Sequence, residues 1–200
     1  MKTYQPFDEI RTLLEKQYEN VVYSQENSWT EEQLREAWDN HKKECPGEDR
    51  ILSRSFLIAL ILKHAPLGVE KFNPFPGKFQ TYDLLNEDVN NGYKLAAEKV
   101  PGVNTWALDM NLGIGWMVDR SHVAPDWKRL LELGLPGLIE RAKKGTSPLH
   151  RSVVMVYEAL VQFCHRLAIL NENPVYDEIA THAPRTLHEA FALAYVLHDT

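Results

Sequence analysis

The chain has 200 residues, 44% hydrophobic and 25% charged, with a formal net charge of −6. That length suits one domain with a sizeable core, and the negative balance argues against nucleic acid, which is held mainly through Lys and Arg on phosphates. The two cysteines, Cys45 and Cys164, form no CxxC pair and fit a reducing, cytoplasmic compartment rather than a disulfide framework.

Met1 to Pro6 carries no apolar run of the kind a signal peptide needs. Phe7 to Glu19 fits an amphipathic helix, with Ile10, Leu13, Leu14 and Tyr18 on one stripe. Val21-Val22-Tyr23 reads either as a short strand or as a buried loop. Thr30 is an N-cap with Gln33 at the capping-box position; the helix it starts carries Leu34, Ala37 and Trp38 and ends near Cys45-Pro46-Gly47. Arg50 to His64, capped by Asp49 or a residue near it, is a third helix, stopped by Ala65-Pro66-Leu67-Gly68. Its segment from Phe56 to Leu62 is an unbroken apolar run, far too short to span a bilayer. Residues 71–81 form a Pro/aromatic loop whose Phe and Pro anchors predict attachment to the body of the fold.

Tyr82 to Lys99 is polar and moderately helical, Pro101-Gly102 is a turn, and Thr105 to Met110 is a candidate strand. Leu112 to Val118 is apolar and interrupted by Gly113 and Gly115. A phosphate-binding loop would need a third glycine and a helix directly after it, so the pair is read as a bulge or a close backbone approach. Ala124-Pro125-Asp126-Trp127 opens a helix through Leu133; Gly134 interrupts it, and a helix restarts at Leu135-Pro136-Gly137 and runs to Lys144. Ser147 caps the next helix with Pro148 in its first position. Val153, Val156, Tyr157, Leu160, Phe163, Cys164, Leu167 and Leu170 share one face of it, and Asn171, Asn173 and Pro174 end it. The run from Pro184 to His198 is apolar all round after Glu189. Such a helix is expected to be buried on most sides, which predicts more protein beyond Thr200 to cover it. The sum is a mainly α chain with two or three short strands near the middle. No repeat, low-complexity tract or linker divides residues 1–200, which read as a single, incomplete domain.

Of the eight histidines, none stands in an HExxH or Cys/His cluster, so no metal site is expected. Cys164 lies on an apolar stripe, where a cysteine behaves as a small hydrophobe. His165 follows it directly, but adjacent helical residues do not face each other. The most suggestive polar cluster is Asp119-Arg120-Ser121-His122, after the apolar Gly-interrupted stretch. Ionisable residues at the end of a buried strand often line a site. A solvated loop in which Asp119 pairs with Arg120 accounts for the same residues. A third reading is a helical enzyme using His122 and Asp119 as acid and base.

Three segments, in this order, resemble the glycyl radical enzymes. Asp119 to Glu140 is similar to a family segment reading Gly-His, a few residues, Pro-Asp-Tyr, then a helix ending Leu-x-x-Gly-Leu-x-Gly-Ile. Here Ser121 stands before His122 in place of the glycine, and Trp127 stands in place of the tyrosine. Ala159, Phe163, Arg166 and Ala168 match the family helix Ala-x-x-x-Phe-x-x-Arg-x-Ala. Pro184-Arg185-Thr186-Leu187-His188-Glu189-Ala190 looks like the family's Pro-Ala-Arg-Thr-Phe-His-Glu-Ala and is the most specific piece. Arg50 to Phe79 fits more loosely.

The resemblance implies the N-terminal helical part and first strand or strands of a ten-stranded α/β barrel, as in pyruvate formate-lyase. In that family a glycyl radical in a C-terminal loop draws hydrogen from a barrel cysteine, and the thiyl radical starts C–C or C–X cleavage of a small metabolite. A radical S-adenosylmethionine activating enzyme installs the glycyl radical, and the complete enzyme is expected to be a homo-oligomer with a small-molecule substrate and neither nucleic acid nor membrane as partner. This sequence has no Cys-x-Glu counterpart of the barrel cysteine and no glycine loop, so no catalytic residue is assigned, no cofactor is expected in the chain itself, and the chain is expected to be inactive alone. His122 and Asp119 are carried over as substrate-site candidates. The competing expectation is a stand-alone helical binding or regulatory module that has lost the radical chemistry; what covers Phe191, Leu193, Tyr195 and Val196 tells the two apart.

Overall fold

The structure, a computed structural model, describes residues 7–19, 22–70, 73, 75–85, 87–88 and 126–199. Among them are α1 (Phe7–Glu19), β1 (Tyr23–Ser24), α2 (Glu31–Glu44), α3 (Arg50–His64), β2 (Leu67–Gly68), α4 (Trp127–Ala142), α5 (Pro148–Asn171), α6 (Val175–Thr181) and α7 (Leu187–Asp199). The mainly α expectation is met. The strand expected at Thr105 to Met110 lies outside the described residues.

Local chemistry sets the helix ends. Gln33 N–H donates to the Thr30 hydroxyl at 3.4 Å and the Gln33 side chain accepts from Thr30 N–H at 2.9 Å, a complete capping box. Asp49 accepts from Ile51 N–H at 3.0 Å, and Ser147 accepts from His150 N–H at 3.4 Å with Pro148 as the first helical residue of α5. Asp126 is the N-cap of α4, accepting from Arg129 N–H at 3.2 Å.

The helix α5 is the centre of the fold, with α3, α4 and α6 packed on it. Its stripe of Ala159, Phe163, Cys164 and Leu167 is fully buried against Leu135, Tyr176, Ile179, Leu193 and Val196. By length and composition α5 would also suit a membrane span, but this side of it forms the core of the described residues. Ser55 of α3 and Ser152 of α5 join the two helices by a buried hydroxyl pair at 2.6 Å. A second cluster, Leu34, Leu57, Ile61 and Leu84, lies between α2 and the other face of α3. Phe79 packs against both clusters and sets its ring edge-on to Phe163, centroids 5.3 Å apart.

The strands pair antiparallel, Tyr23 with Gly68 and Ser24 with Leu67, one position beyond the Val21 to Tyr23 segment read as a strand or loop; Val22 is exposed. The loop after β2 is attached to the body as expected. The device is Glu70, whose buried carboxylate accepts from Gly77 N–H at 2.9 Å, Lys78 N–H at 3.1 Å and the Asn73 amide at 3.1 Å. Tyr176 O–H donates to Pro76 C=O at 2.6 Å and pins the loop tip on α6.

Gly134 breaks α4 as the sequence predicts. Its φ of 61° and ψ of −176° are non-helical, and a Cβ built there would sit 2.7 Å from Ala183 Cα. The chain between α6 and α7 therefore lies directly against this glycine. The substitution Gly134→Ala is expected to lower stability by about 2 kcal/mol or more, from the strained dihedral and the backbone clash together. A urea unfolding midpoint unchanged from the parent would contradict the close approach.

Candidate functional site

His122 and Asp119 lie outside the described residues, as do Arg120, Ser121, Gly113 and Gly115. Among the described residues, four groupings of polar or aromatic side chains stand out.

The first is Arg166 on α5. Its guanidinium donates to Leu62 C=O at 2.9 Å, to Ala65 C=O at 2.6 Å and to the Ser28 hydroxyl at 3.4 Å. Burial pushes its pKa down to about 10, which leaves it charged at neutral pH. The charge sits at the carbonyl end of α3, where a cation offsets the helix dipole. A cleft of about 210 Å³ opens beside it, lined in part by Glu26, Asn27 and Ser28. That is smaller than typical ligand pockets, and three of the Arg166 N–H groups are already committed to the protein. Arg166 is a brace between α5 and the end of α3.

The second grouping is basic. Lys63, Lys143, His150 and Arg151 line an open hollow of about 450 Å³ together with Glu158. Lys143 is held by Glu158 at 3.3 Å and Glu140 at 3.4 Å, and hydrogen bonding first to Glu158 and then to Glu140 raises its pKa. His150 Nδ1 is 2.6 Å from the Ser147 hydroxyl, within the N-terminal turn of α5. Of these charges, Lys143 is the one matched by carboxylates, Glu140 and Glu158.

The third grouping surrounds the start of α7, the segment of greatest family likeness. Glu189 N–H donates to the Thr186 hydroxyl at 3.2 Å, while the Glu189 carboxylate accepts from Arg185 N–H at 2.9 Å and from the Thr186 hydroxyl at 3.1 Å. The Arg185 backbone N–H, and after it the Thr186 hydroxyl, hold the Glu189 carboxyl below its usual value of 4.5. The Thr-Leu-His-Glu pattern is thus a helix start. Beyond it, α7 is two-sided. Ala192, Leu193 and Val196 are fully buried, whereas Leu187 is 73%, Phe191 51% and Tyr195 46% exposed. This corrects the expectation of a helix buried on most sides: one stripe packs on α5 and α6, and the other is bare. Phe75 extends the bare stripe, with its ring 5.1 Å from Tyr195 and 5.3 Å from His188.

The fourth grouping concerns the cysteines. Cys164 is fully buried, and burial pushes its thiol up to about 12, as the reading of a small core hydrophobe requires. His165 is turned away to Asp177, at 2.6 Å. Cys45 is exposed and stands beside His41 and Glu48. The sequence reading looked for CxxC and HExxH and so passed over this trio, although His41 and Cys45 at i and i+4 on one helix were a usable signal.

No family model matches the chain, and no curated protein matches it. Solved structures do share its fold. The glycerol-bound form of the B12-independent glycerol dehydratase from Clostridium butyricum matches with a TM-score of 0.68 and 16% identity, over 99% of this chain and 34% of that one. A glycyl radical enzyme from Archaeoglobus fulgidus matches with a TM-score of 0.56 and 14% identity, over 95% of this chain and 33% of that one. The mainly helical architecture expected from the sequence resemblance is therefore one that these structures share, and the chain spans about a third of their length.

Two outcomes follow at neutral and acid pH. A thiol reagent applied to the native chain at neutral pH is expected to label Cys45 and to spare Cys164 until the chain unfolds; equal labelling rates would contradict the burial of Cys164. Because the Glu189 carboxyl is depressed, its contribution to the start of α7 is complete above its usual value of 4.5 and is lost as the pH falls through the lower folded value. Amide exchange at Glu189 and Ala190 should therefore rise in acid sooner than in the centre of α5. Glu189→Ala should produce the same rise at neutral pH, and unchanged exchange in that variant would sink the cap assignment.

Proposed function

We propose that the chain is the N-terminal part of a pyruvate formate-lyase-like glycyl radical enzyme, in which it forms the helical framework and the entry to the barrel. The observation that carries this reading is the fold shared over 99% of the chain with a third of a glycyl radical enzyme. The bare stripe of Leu187, Phe191 and Tyr195 supports it, since apolar area of that kind is normally covered by further protein.

In the complete protein the reaction is radical cleavage of a C–C or C–X bond in a small metabolite. The glycyl radical supplies the hydrogen-abstracting centre, and the barrel cysteine relays it. This sequence contains neither the Cys-x-Glu segment nor the glycine loop, so both belong to the remainder of the enzyme, and this chain alone is inactive. His122 and Asp119 have the role of substrate contacts, an imidazole and a carboxylate that orient hydroxyl or carbonyl groups by hydrogen bonding. A radical S-adenosylmethionine activating enzyme is the activating partner, the assembly is a homo-oligomer, and the compartment is cytoplasmic. Glycerol, bound in the Clostridium butyricum relative, is of the size class proposed for the substrate.

A second reading, a stand-alone helical module, draws its support from the full burial of Ala192, Leu193 and Val196 within the chain itself. Electron paramagnetic resonance tests the first reading's division of labour. The purified chain, incubated anaerobically with an activating enzyme, reductant and S-adenosylmethionine, is expected to give no glycyl radical signal. A stable glycyl doublet would show that the chain carries the radical itself and would overturn the proposal.

A further inference from the structure

We propose that His41, Cys45 and Glu48 form a binding site for a single zinc-type cation that clamps the end of α2 to the turn leading into α3. The ligand-bearing atoms of the three residues all lie within 4.8 Å of one another. Helical spacing brings the first two together, since residues four apart occupy one face, and Cys45 is the C-cap of α2. A turn brings the third. Gly47 has a φ of 79°, the left-handed region that glycine enters freely, and Glu48 N–H donates back to Cys45 C=O at 3.2 Å. The chain thus doubles back and sets the Glu48 carboxylate 2.8 Å from His41 Nε2.

The site is oriented before any ion arrives. The His41 ring stacks flat on Phe56 of α3, centroids 3.7 Å apart and planes 5° from parallel, with Trp38 on the same stack. His41 and Glu48 side chains are 13% and 22% exposed, so both are largely held by the protein, while Cys45 opens to solvent. The last turn of α2 also presents the negative end of its dipole, which favours a cation there. Lys42, the nearest competing charge in sequence, is engaged by Asp39 at 2.7 Å and lies over the Trp38 ring.

The donor set selects the ion. One imidazole nitrogen, one sulfur and one carboxylate oxygen suit a borderline cation such as Zn²⁺ and do not suit Mg²⁺ or Ca²⁺, which take oxygen ligands. Tetrahedral zinc at its usual bond lengths holds its ligand atoms about 3.3–3.6 Å apart. The His41–Glu48 pair need open by less than about 1 Å to reach that spacing, and the Cys45 side chain is free to turn inward. On binding, the Cys45 thiol gives its proton to solvent and the thiolate bonds the metal. The His41 ring gives up its Nε2 proton, the neutral ring keeping its one N–H on Nδ1, and the freed Nε2 lone pair bonds the metal in place of the hydrogen bond to Glu48. Water completes the fourth position. The site takes no part in the radical chemistry: its effect is to fix the α2–α3 turn.

Cobalt serves as a spectroscopic stand-in for zinc. The reduced, metal-free chain titrated with Co²⁺ is expected to bind one equivalent, with a thiolate-to-cobalt charge-transfer band and tetrahedral visible bands that Zn²⁺ displaces. Cys45→Ser should abolish the charge-transfer band, and His41→Ala should weaken binding at least about tenfold, since even outer partners of a metal ligand are worth that much. Cys164→Ala should leave the spectrum unchanged. Because Cys45 is exposed, Cys45→Ser is expected to keep the parent circular dichroism, so loss of the band there reports the ligand. Absence of a charge-transfer band in the parent, or its persistence in Cys45→Ser, would reduce the trio to a hydrogen-bonded His–Glu pair beside a free thiol and overturn the proposal.

Discussion

The arrangement of α3, α5 and the small sheet turns on one half-buried positive charge. Arg166 reaches out of α5 to take the carbonyls of Leu62 and Ala65 and the hydroxyl of Ser28. Those carbonyls belong to the last turn of α3 and its C-cap residue and have no intrahelical donors. With them satisfied, the chain can leave α3 at once, turn through Ala65 and Pro66, and lay β2 against β1. Burying a guanidinium without a carboxylate is costly, and the three oxygens offset that cost only in one geometry. Removing Arg166 would leave two buried carbonyls unpaired, which is why the residue reads as part of the framework.

From this brace the rest follows outward. Leu67 pairs with Ser24 and bridges to Phe79. Glu70 then gathers the backbone of Gly77 and Lys78, and Tyr176 closes over Pro76. Phe75 is thereby carried to α7, where it meets Tyr195 and His188. The bare aromatic stripe on α7 is therefore assembled by two segments far apart in sequence. A surface built that way needs Phe75 held in place. The same logic applies at the other end, where the His41, Cys45 and Glu48 trio would stiffen the α2–α3 turn against Phe56.

The parts of the fold that were legible in the sequence are those decided within one helical turn. Thr30 with Gln33, Asp49, Ser147 with Pro148, and the Gly134 break need only their own neighbours, and each is found as read. The pairing of Tyr23 and Ser24 with Gly68 and Leu67 was not legible, because strands of two residues carry no periodicity. Glu70 was passed over for a different reason: its partners are backbone N–H groups, which have no signature in the sequence. The two-sidedness of α7 was hidden because a covered Leu193 and a bare Phe191 look alike until their neighbours are known. The His41 trio depends on a left-handed Gly47, and a glycine announces the freedom to turn without saying which way. His122 and Asp119, the candidates that the resemblance supplied, stand in a segment outside the described residues.

The central claim is that this chain works as one part of a larger glycyl radical enzyme. The most direct test is to recover it from the cells that make it, with an antibody raised against the chain, under conditions that keep complexes intact. The chain has a mass of 23.1 kDa and covers 34% of the Clostridium butyricum relative. The account predicts recovery in a polypeptide or a stoichiometric assembly whose unique chains sum to roughly three times that mass, with a Cys-x-Glu segment and a glycine loop in the added part. Recovery of the 23.1 kDa chain alone, monomeric and with its aromatic stripe open to an apolar dye, would contradict it.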